Sequence, residues 1–266
     1  MSNWKKLSPM VALVTGASSG IGLEFSRQLA ALGHHLVLVS NQDEALEQVR
    51  TELATAYPQQ RFYAYPLDLT VPDAADVLFA YCEEQGLEVD ILINNAGVFS
   101  FRKVLDTRPD FLNLYVDLHM RVVTQLCYRF GTAMKQRRRG YILNMSSMSC
   151  WMPMPGIAMY AATKAYIRVF SRALALELKD DGVSVTVACP GGIATDLFGL
   201  PRHLQRLGVR LGALATPKRF VRGALKRMFK RRQQYVNGLI NHIAVVVVPL
   251  LPDAVAMIIK HKMLDK

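Results

Sequence analysis

Four times before residue 140 the chain passes from a short run of aliphatic, often β-branched residues into a stretch of helical patterning. The runs are Met10 to Thr15, His35 to Val39, Arg61 to Pro66 and Val89 to Ile93. A helix after each strand carries the chain back across the sheet, so successive strands can pair in parallel. Parallel sheets of this kind are covered on both faces, which explains strands that are apolar at nearly every position rather than at every second one. The alternation predicts an α/β fold: a single doubly wound parallel sheet with helices on both faces.

With 266 residues, 51% of them hydrophobic, the chain can build a large core, and neither an internal repeat nor a low-complexity linker divides it. Residues 1–266 are therefore read as one domain. Met1 to Met10 holds no apolar run of signal-peptide length, and Cys82, Cys127, Cys150 and Cys189 are scattered without a C-x-x-C pair. That usage argues against a disulfide framework or a zinc site and fits a reducing, cytoplasmic setting.

The first strand, M-V-A-L-V-T, runs directly into G-A-S-S-G-I-G and then into L-E-F-S-R-Q-L-A-A-L-G, a strand, glycine turn and helix. Gly16, Gly20 and Gly22 leave backbone open where a phosphate can approach, and the helix behind them offers free N–H groups and a favourable dipole. The spacing is G-x-x-x-G-x-G rather than the usual G-x-G-x-x-G, and a tight turn without a ligand would read the same way. At the end of the second strand, where an acidic residue would hold the ribose 2′-hydroxyl of NAD, stand Ser40 and Asn41. The missing carboxylate removes a reason to exclude NADP, so NADP(H) is favoured over NAD(H). Asp68, in L-D-L-T, either accepts a bond from an adenine amino group or caps a helix beginning near Val71. Asn94 and Asn95 are expected to bond neighbouring backbone and fix the loop beneath a cofactor.

A second cluster follows the strand G-Y-I-L-N-M. Ser147 lies just past it, Tyr160 thirteen residues on, and Lys164 four residues after that, in the helical stretch from Ala158. Positions four apart stack on one helix face, so a phenol and an ammonium can share a site. A phenol titrates near pH ~10, and a nearby cation lowers that value, which would let it exchange a proton with a carbonyl or alcohol oxygen. Alone, a tyrosine and a lysine at this spacing are common on helices.

Taken together, the chain resembles the short-chain dehydrogenase/reductase family. The matching residues are Thr15 to Gly22, Asp68, Asn94 to Gly97, Ser147, Tyr160, Lys164, Pro190, Gly191 and Thr195, in the family's order across about residues 10 to 196. The resemblance implies a seven-stranded Rossmann-like sheet with the cofactor across its carboxyl ends. It implies interconversion of a ketone and a secondary alcohol, with NAD(P)(H) as hydride carrier. Tyr160 looks like the general acid/base, Lys164 like the group that lowers the tyrosine's pKa and holds the nicotinamide ribose, and Ser147 like the holder of the substrate oxygen. Cofactor contacts would fall to Gly16, Ser18, Ser19, Gly20, Ile21, Gly22, Ser40, Asn41, Asp68, Leu69, Asn95, Ala96, Gly97, Pro190, Gly191, Ile193 and Thr195, with no metal. A homodimer or homotetramer is implied as well. Where many members carry a catalytic asparagine, 28 residues before the serine, this chain has His119. Neutral histidine can donate and accept and so replace it in a proton relay, or the helix can have slipped and left the ring to pack. In the second case a cofactor-binding protein with weak or no turnover, regulatory or membrane-associated, is the alternative.

Between Leu197 and Pro252 there are eleven Arg and Lys residues and no Asp or Glu, while the rest of the chain balances 21 against 21. That stretch thus supplies the whole net charge of +11, and the basic, apolar extension it belongs to, 197–266, is expected to cover the substrate site or to meet a partner. Thr216-Pro217 opens a helix whose Phe220, Val221, Ala224, Leu225, Met228 and Phe229 share a face, with the basic residues on the others. A peripheral contact with an anionic membrane is one expectation, and nucleic acid is not expected. The run Ile243 to Leu251 is far too short to span a bilayer and reads as a buried strand, a dimer contact or a membrane-dipping segment. The loop after Thr195, together with Met148, Trp151, Met152 and Met154, is expected to wall an apolar small-molecule carbonyl or alcohol substrate, acyl-chain-like or steroid-like.

Overall fold

A computed structural model of the chain describes residues 8–195, 201–210, 214–250 and 252–264. Seven parallel strands form one sheet in the order β3-β2-β1-β4-β5-β6-β7. They are β1 (Val11–Thr15), β2 (His35–Ser40), β3 (Phe62–Pro66), β4 (Val89–Asn94), β5 (Gly140–Met145), β6 (Val183–Cys189) and β7 (Gln234–Val236). The order reverses between β1 and β4, and such a switch point opens a crevice at the carboxyl ends of the strands, where doubly wound sheets bind ligands.

Successive strand residues feed opposite layers, as the pleat requires. Ala12, Val14, Leu36, Leu38, Ile91 and Ile93 join the core under α1 (Gly20–Ala31) and α2 (Asp43–Ala56). Leu13, Val37, Val39 and Leu92 join the other, under α3 (Ala74–Glu84) and α5 (Val122–Gln136). A chain of buried side chains ties the second layer to the sheet. Asn94 Nδ2 donates to Asn144 Oδ1 at 2.8 Å, and Asn144 Nδ2 donates to Ser171 Oγ at 2.9 Å on α6 (Ala158–Glu177). Asn94 thus bonds a side chain on the neighbouring strand rather than the loop backbone expected for it.

Before α5, α4 (Pro109–Val116) passes into a wide π turn over Asp117–Arg121. After β6 come α7 (Arg202–Arg210) and α8 (Pro217–Phe229); Thr216 caps α8 by accepting from the Arg219 N–H. The expected apolar face of α8 is buried throughout, in the same core as α1 and α2. That packing answers what this face covers: it lies on the protein's own sheet and is closed to lipid. The run Ile243 to Leu251, for which a buried strand is one expectation, is helical instead and largely exposed, in α9 (Leu239–Val247), and is followed by α10 (Asp253–Met263). Leu251 and the 196–200 part of the expected substrate-covering loop lie outside the described residues.

Candidate active site

The glycine turn is built by backbone, not by its side chains. Gly16 adopts φ +65°, a conformation that L side chains rarely take. A Cβ on Gly22 would stand 2.0 Å from the Gly16 carbonyl oxygen, so α1 can start this close to β1 only with glycine there. Asn95 closes the same turn from β4: its Nδ2 donates to Thr15 O at 2.9 Å, and its N–H donates to Thr15 Oγ1 at 2.9 Å. Ala96 N–H donates to that hydroxyl too, at 3.0 Å. Ser19 precedes α1 without a side-chain cap, and no acidic residue lies in its first turn. The helix therefore presents N–H groups and a positive dipole end to an anion, so the residues present fit a dinucleotide diphosphate. Thr195 sits opposite, its methyl 3.9 Å from where a Gly20 Cβ would be, so the glycine turn and the segment after β6 face one another. Gly191 N–H donates to Asn237 Oδ1 at 2.9 Å, and Ile193 is buried and bridges to Ala215.

At the end of β2 the Ser40 hydroxyl lies 2.9 Å from that of Ser18 and accepts from the Gln42 N–H, making a neutral polar corner beside exposed Asn41. Arg61, the basic residue whose place the sequence left open, is at the far edge of the sheet, its N–H on the His35 ring. Asp68 is exposed and binds the Thr70 N–H and hydroxyl at 2.9 and 2.8 Å. It caps no helix, because α3 begins only at Ala74, behind Asp73. Leu69 contributes its side chain to the core, leaving only backbone for the crevice.

Ser147, Tyr160 and Lys164 come together as expected. Ser147 follows β5 and caps a short 3-10 turn, Met148–Trp151, accepting from the Ser149 N–H at 3.1 Å. One turn apart on α6, the Lys164 ammonium lies 5.6 Å from the centre of the Tyr160 ring and donates to Met145 O at 3.0 Å. All three side chains are buried. Burial pushes the Tyr160 hydroxyl up to about 12, against a hydrogen bond with Ser147 that lowers it. Burial also brings Lys164 down to about 7. Loss of water, which disfavours both charged forms, is thus the largest influence on the tyrosine and on the lysine in this state, where the sequence directs attention to the lysine's charge.

His119 is brought to the site too, in the π turn, a helical irregularity frequent at functional positions. Its ring centre is 5.9 Å from that of Tyr160, and a Cβ on Gly97 would stand 2.8 Å from its Nε2 and 3.6 Å from the Lys164 ammonium. Both ring nitrogens are engaged. Nε2 accepts from the Val98 N–H at 3.1 Å, and Nδ1 lies 3.0 Å from Thr163 Oγ1. The Thr163 hydroxyl donates to Tyr160 O at 3.0 Å, so Nδ1 carries the ring proton and the tautomer is set. Burial, with Lys164 beside it, holds His119 well below the usual histidine range and therefore neutral.

Sequence reasoning missed two aromatic neighbours. Phe99 stacks edge-on to Tyr160 at 5.0 Å and Tyr115 to His119 at 5.4 Å. Tyr115 stands four residues before His119, so the spacing that linked Tyr160 to Lys164 would have found it. Beside Tyr160 a cleft opens, lined by Ser100, Arg102, Leu112, Tyr115 and Met159. Of the four residues expected to wall the substrate, Trp151 instead packs beneath the sheet end near Val187 and Val236, under the Arg168 guanidinium at 4.4 Å.

Residues 10–203 match the family model described as short chain dehydrogenase. The chain belongs to that family. Among curated relatives it is 32% identical over 219 residues to the very-long-chain 3-oxoacyl-CoA reductase of Neurospora crassa, over 82% of this chain and 64% of that one. It therefore spans less than two thirds of that relative's length. It is 30% identical over 240 residues to the 17-beta-hydroxysteroid dehydrogenase type 3 of Danio rerio, covering 87% of this chain and 73% of the other. Among solved structures, a short-chain dehydrogenase from Sphingobium yanoikuyae in complex with NADPH superposes with a TM-score of 0.79 at 28% identity, over 96% of each chain.

Proposed function

We propose that this short-chain dehydrogenase reduces a ketone on an apolar, acyl-chain-like substrate to a secondary alcohol, with NADPH as hydride carrier and Tyr160 as proton donor. The observation that carries the reading is a buried tyrosine hydroxyl, held protonated at neutral pH, that meets Ser147, with a narrow cleft of mixed polar and apolar lining beside its ring. A group held protonated is poised to give a proton rather than take one, which suits reduction.

When bound, the nicotinamide supplies the hydride. Ser147 holds the carbonyl oxygen beside the Tyr160 hydroxyl, and that hydroxyl delivers its proton as charge builds on the oxygen. Lys164, one helical turn away and brought by burial to about 7, stabilises in its protonated form the phenolate left behind. His119 acts here as a positioning residue. With its acceptor nitrogen filled by Val98 and its proton committed to Thr163, it sets the Gly97–Val98 loop against α6 and passes no proton.

The preference for NADPH is supported by the neutral side chains of Ser18, Ser40 and Gln42 at the end of β2, the place where an acidic residue would hold the 2′-hydroxyl of NAD. The relative from Neurospora crassa supports a 3-oxoacyl thioester as substrate class. A panel of 3-oxoacyl thioesters of rising chain length, 17-ketosteroids and keto sugars, followed at the nicotinamide absorbance with NADPH and NADH, tests the reading. Turnover should rise with acyl length and prefer NADPH. Turnover confined to keto sugars would overturn the substrate class.

A further inference from the structure

α9 is apolar along almost its whole length and buries none of its residues. Leu239 is 77% exposed, Ile240 71% and Val246 63%; Leu250, just beyond the helix, is 79% exposed, and Ile258 on α10 continues the same apolar surface. Its two polar side chains are turned back on the chain: Asn241 donates to Asn237 O at 2.6 Å, and the His242 ring lies 2.7 Å from Gly238 O. A patch of this size on an otherwise well-packed protein marks something that covers it.

Its position indicates what that is. Asn241 packs against Gly191, so α9 stands over the segment that would grip the nicotinamide. At the end of α10, Leu264 comes within 3.1 Å of where a Gly156 Cβ would be, at the lip of the cleft beside Tyr160. The two helices thus frame the mouth of the candidate substrate site. Because every strand is parallel, segments leaving β6 and β7 lie at this same edge of the sheet. They include α7, with Arg202, Arg206 and Arg210 and no acid, and the start of α8, with Lys218 and Arg219. Arg231, by contrast, is held at the opposite edge by Gly182 O, so the basic segment is divided and only its first part starts from the edge where α9 also begins.

We infer that the α9–α10 face docks the protein on an anionic phospholipid bilayer, with exposed aliphatic side chains entering the headgroup boundary and the arginines of α7 meeting lipid phosphates. Among the described residues no single helix is long and apolar enough to cross a membrane; Leu239–Leu250 and Asp253–Lys262 together have the length and composition of a broken or re-entrant span, but they are bent by 102° and packed on the protein at Gly191 and Gly156, which favours lying on the bilayer over crossing it. A second copy on the same face would bring two uncompensated basic rims together, which disfavours it. The docking deepens the reductase reading, since an apolar ketone would enter from the lipid side, but the binding itself needs no turnover.

The full chain would be sedimented with vesicles of phosphatidylcholine alone or with phosphatidylglycerol, at low and high salt. Two double variants accompany it, Ile240→Glu with Val246→Glu and Arg202→Glu with Arg206→Glu; all four side chains lie outside the catalytic group. Binding should need the anionic lipid and fall as salt rises, because exposed charges are screened. Either pair should weaken it by about tenfold or more while thermal unfolding stays at the wild-type temperature. Absence of binding to anionic vesicles at low salt would overturn the inference, as would variants that bind like wild type. A salt-insensitive dimer split by the Ile240→Glu, Val246→Glu pair, with no vesicle binding, would assign the face to a second copy instead. Turnover of a soluble ketone, measured in parallel, tests the reductase reading separately.

Discussion

Replacing Lys164 by methionine should stabilise the fold while destroying the enzyme, and the gain should depend on pH. In the unfolded chain Lys164 titrates at its ordinary 10.5; in the fold burial brings it down to about 7. Between those values the unfolded chain holds the proton and the native chain does not, so stability rises with pH across that window. Below pH 7 both states are protonated, and the native one bears the full penalty of a buried charge. The gap between the two values corresponds to ~5 kcal/mol at most. Methionine escapes that penalty but leaves Met145 O without its donor, a loss of about 1–3 kcal/mol. At pH 6 the variant should therefore be more stable by ~2–4 kcal/mol, or several degrees in Tm for a chain of this length. By pH 9.5 most of the penalty is gone, and the difference should shrink to near zero. Urea unfolding of both proteins at the two pH values measures this directly. A variant no more stable than wild type at pH 6, or an advantage that ignores pH, would refute the argument that Lys164 is held in a site that favours its neutral form.

Tyr160→Phe removes only the ionisable hydroxyl, so NADPH binding should persist while turnover falls by about 10² or more; retained turnover on a verified substrate would remove Tyr160 from its assigned role. Ser40→Asp places a carboxylate at the end of β2 and should move preference from NADPH towards NADH, read as the ratio of kcat/KM for the two cofactors. Gly22→Ala would put its methyl carbon 2.0 Å from Gly16 O, backbone that cannot yield cheaply, so the turn must open. NADPH affinity should drop at least about tenfold in a fluorescence titration, and an unchanged affinity would contradict the close approach of α1 to β1.

The sheet and its chemistry were legible where local signals agree with the global fold. The apolar runs before β1 to β4 could be little other than strands buried on both faces, and spacing placed Ser147, Tyr160 and Lys164 together. Short elements escaped: β7 has three residues, too few to show a period, and exists because β6 offers a free edge. The V-V-V-V of α9 carries a strong strand preference, yet folds as helix, an example of context overriding propensity. Charge was harder to read than position. Counting the cation near Tyr160 pointed to a lowered pKa, whereas the larger influence, burial, depends on Phe99, Tyr115 and His119 arriving from elements distant in sequence. His119 was found by counting, but its bonds to Val98 and Thr163, on which its proposed positioning role rests, are singled out by no spacing rule.

The hydrogen bond from Gly191 to Asn237 also sets an order of assembly. β1 lies at the centre of the sheet beside β4, so the middle of the molecule cannot close until residues near Asn94 have left the ribosome. From there each strand adds outward to an edge already present, and β3, β2, β1, β4, β5 and β6 can be in place before β7 is synthesised. The loop carrying Pro190 and Gly191 can already be held by Met148 N–H on Pro190 O and Ala215 N–H on Gly192 O, but the Gly191 N–H has no Asn237 to meet until that residue arrives just past β7. A nascent or truncated chain ending before that residue would hold most of the sheet and all of the Ser-Tyr-Lys group, yet lack the last bond that fixes Gly191. The final adjustment of the cofactor-facing loop thus comes late in this chain's synthesis, after most of the sheet has been laid down.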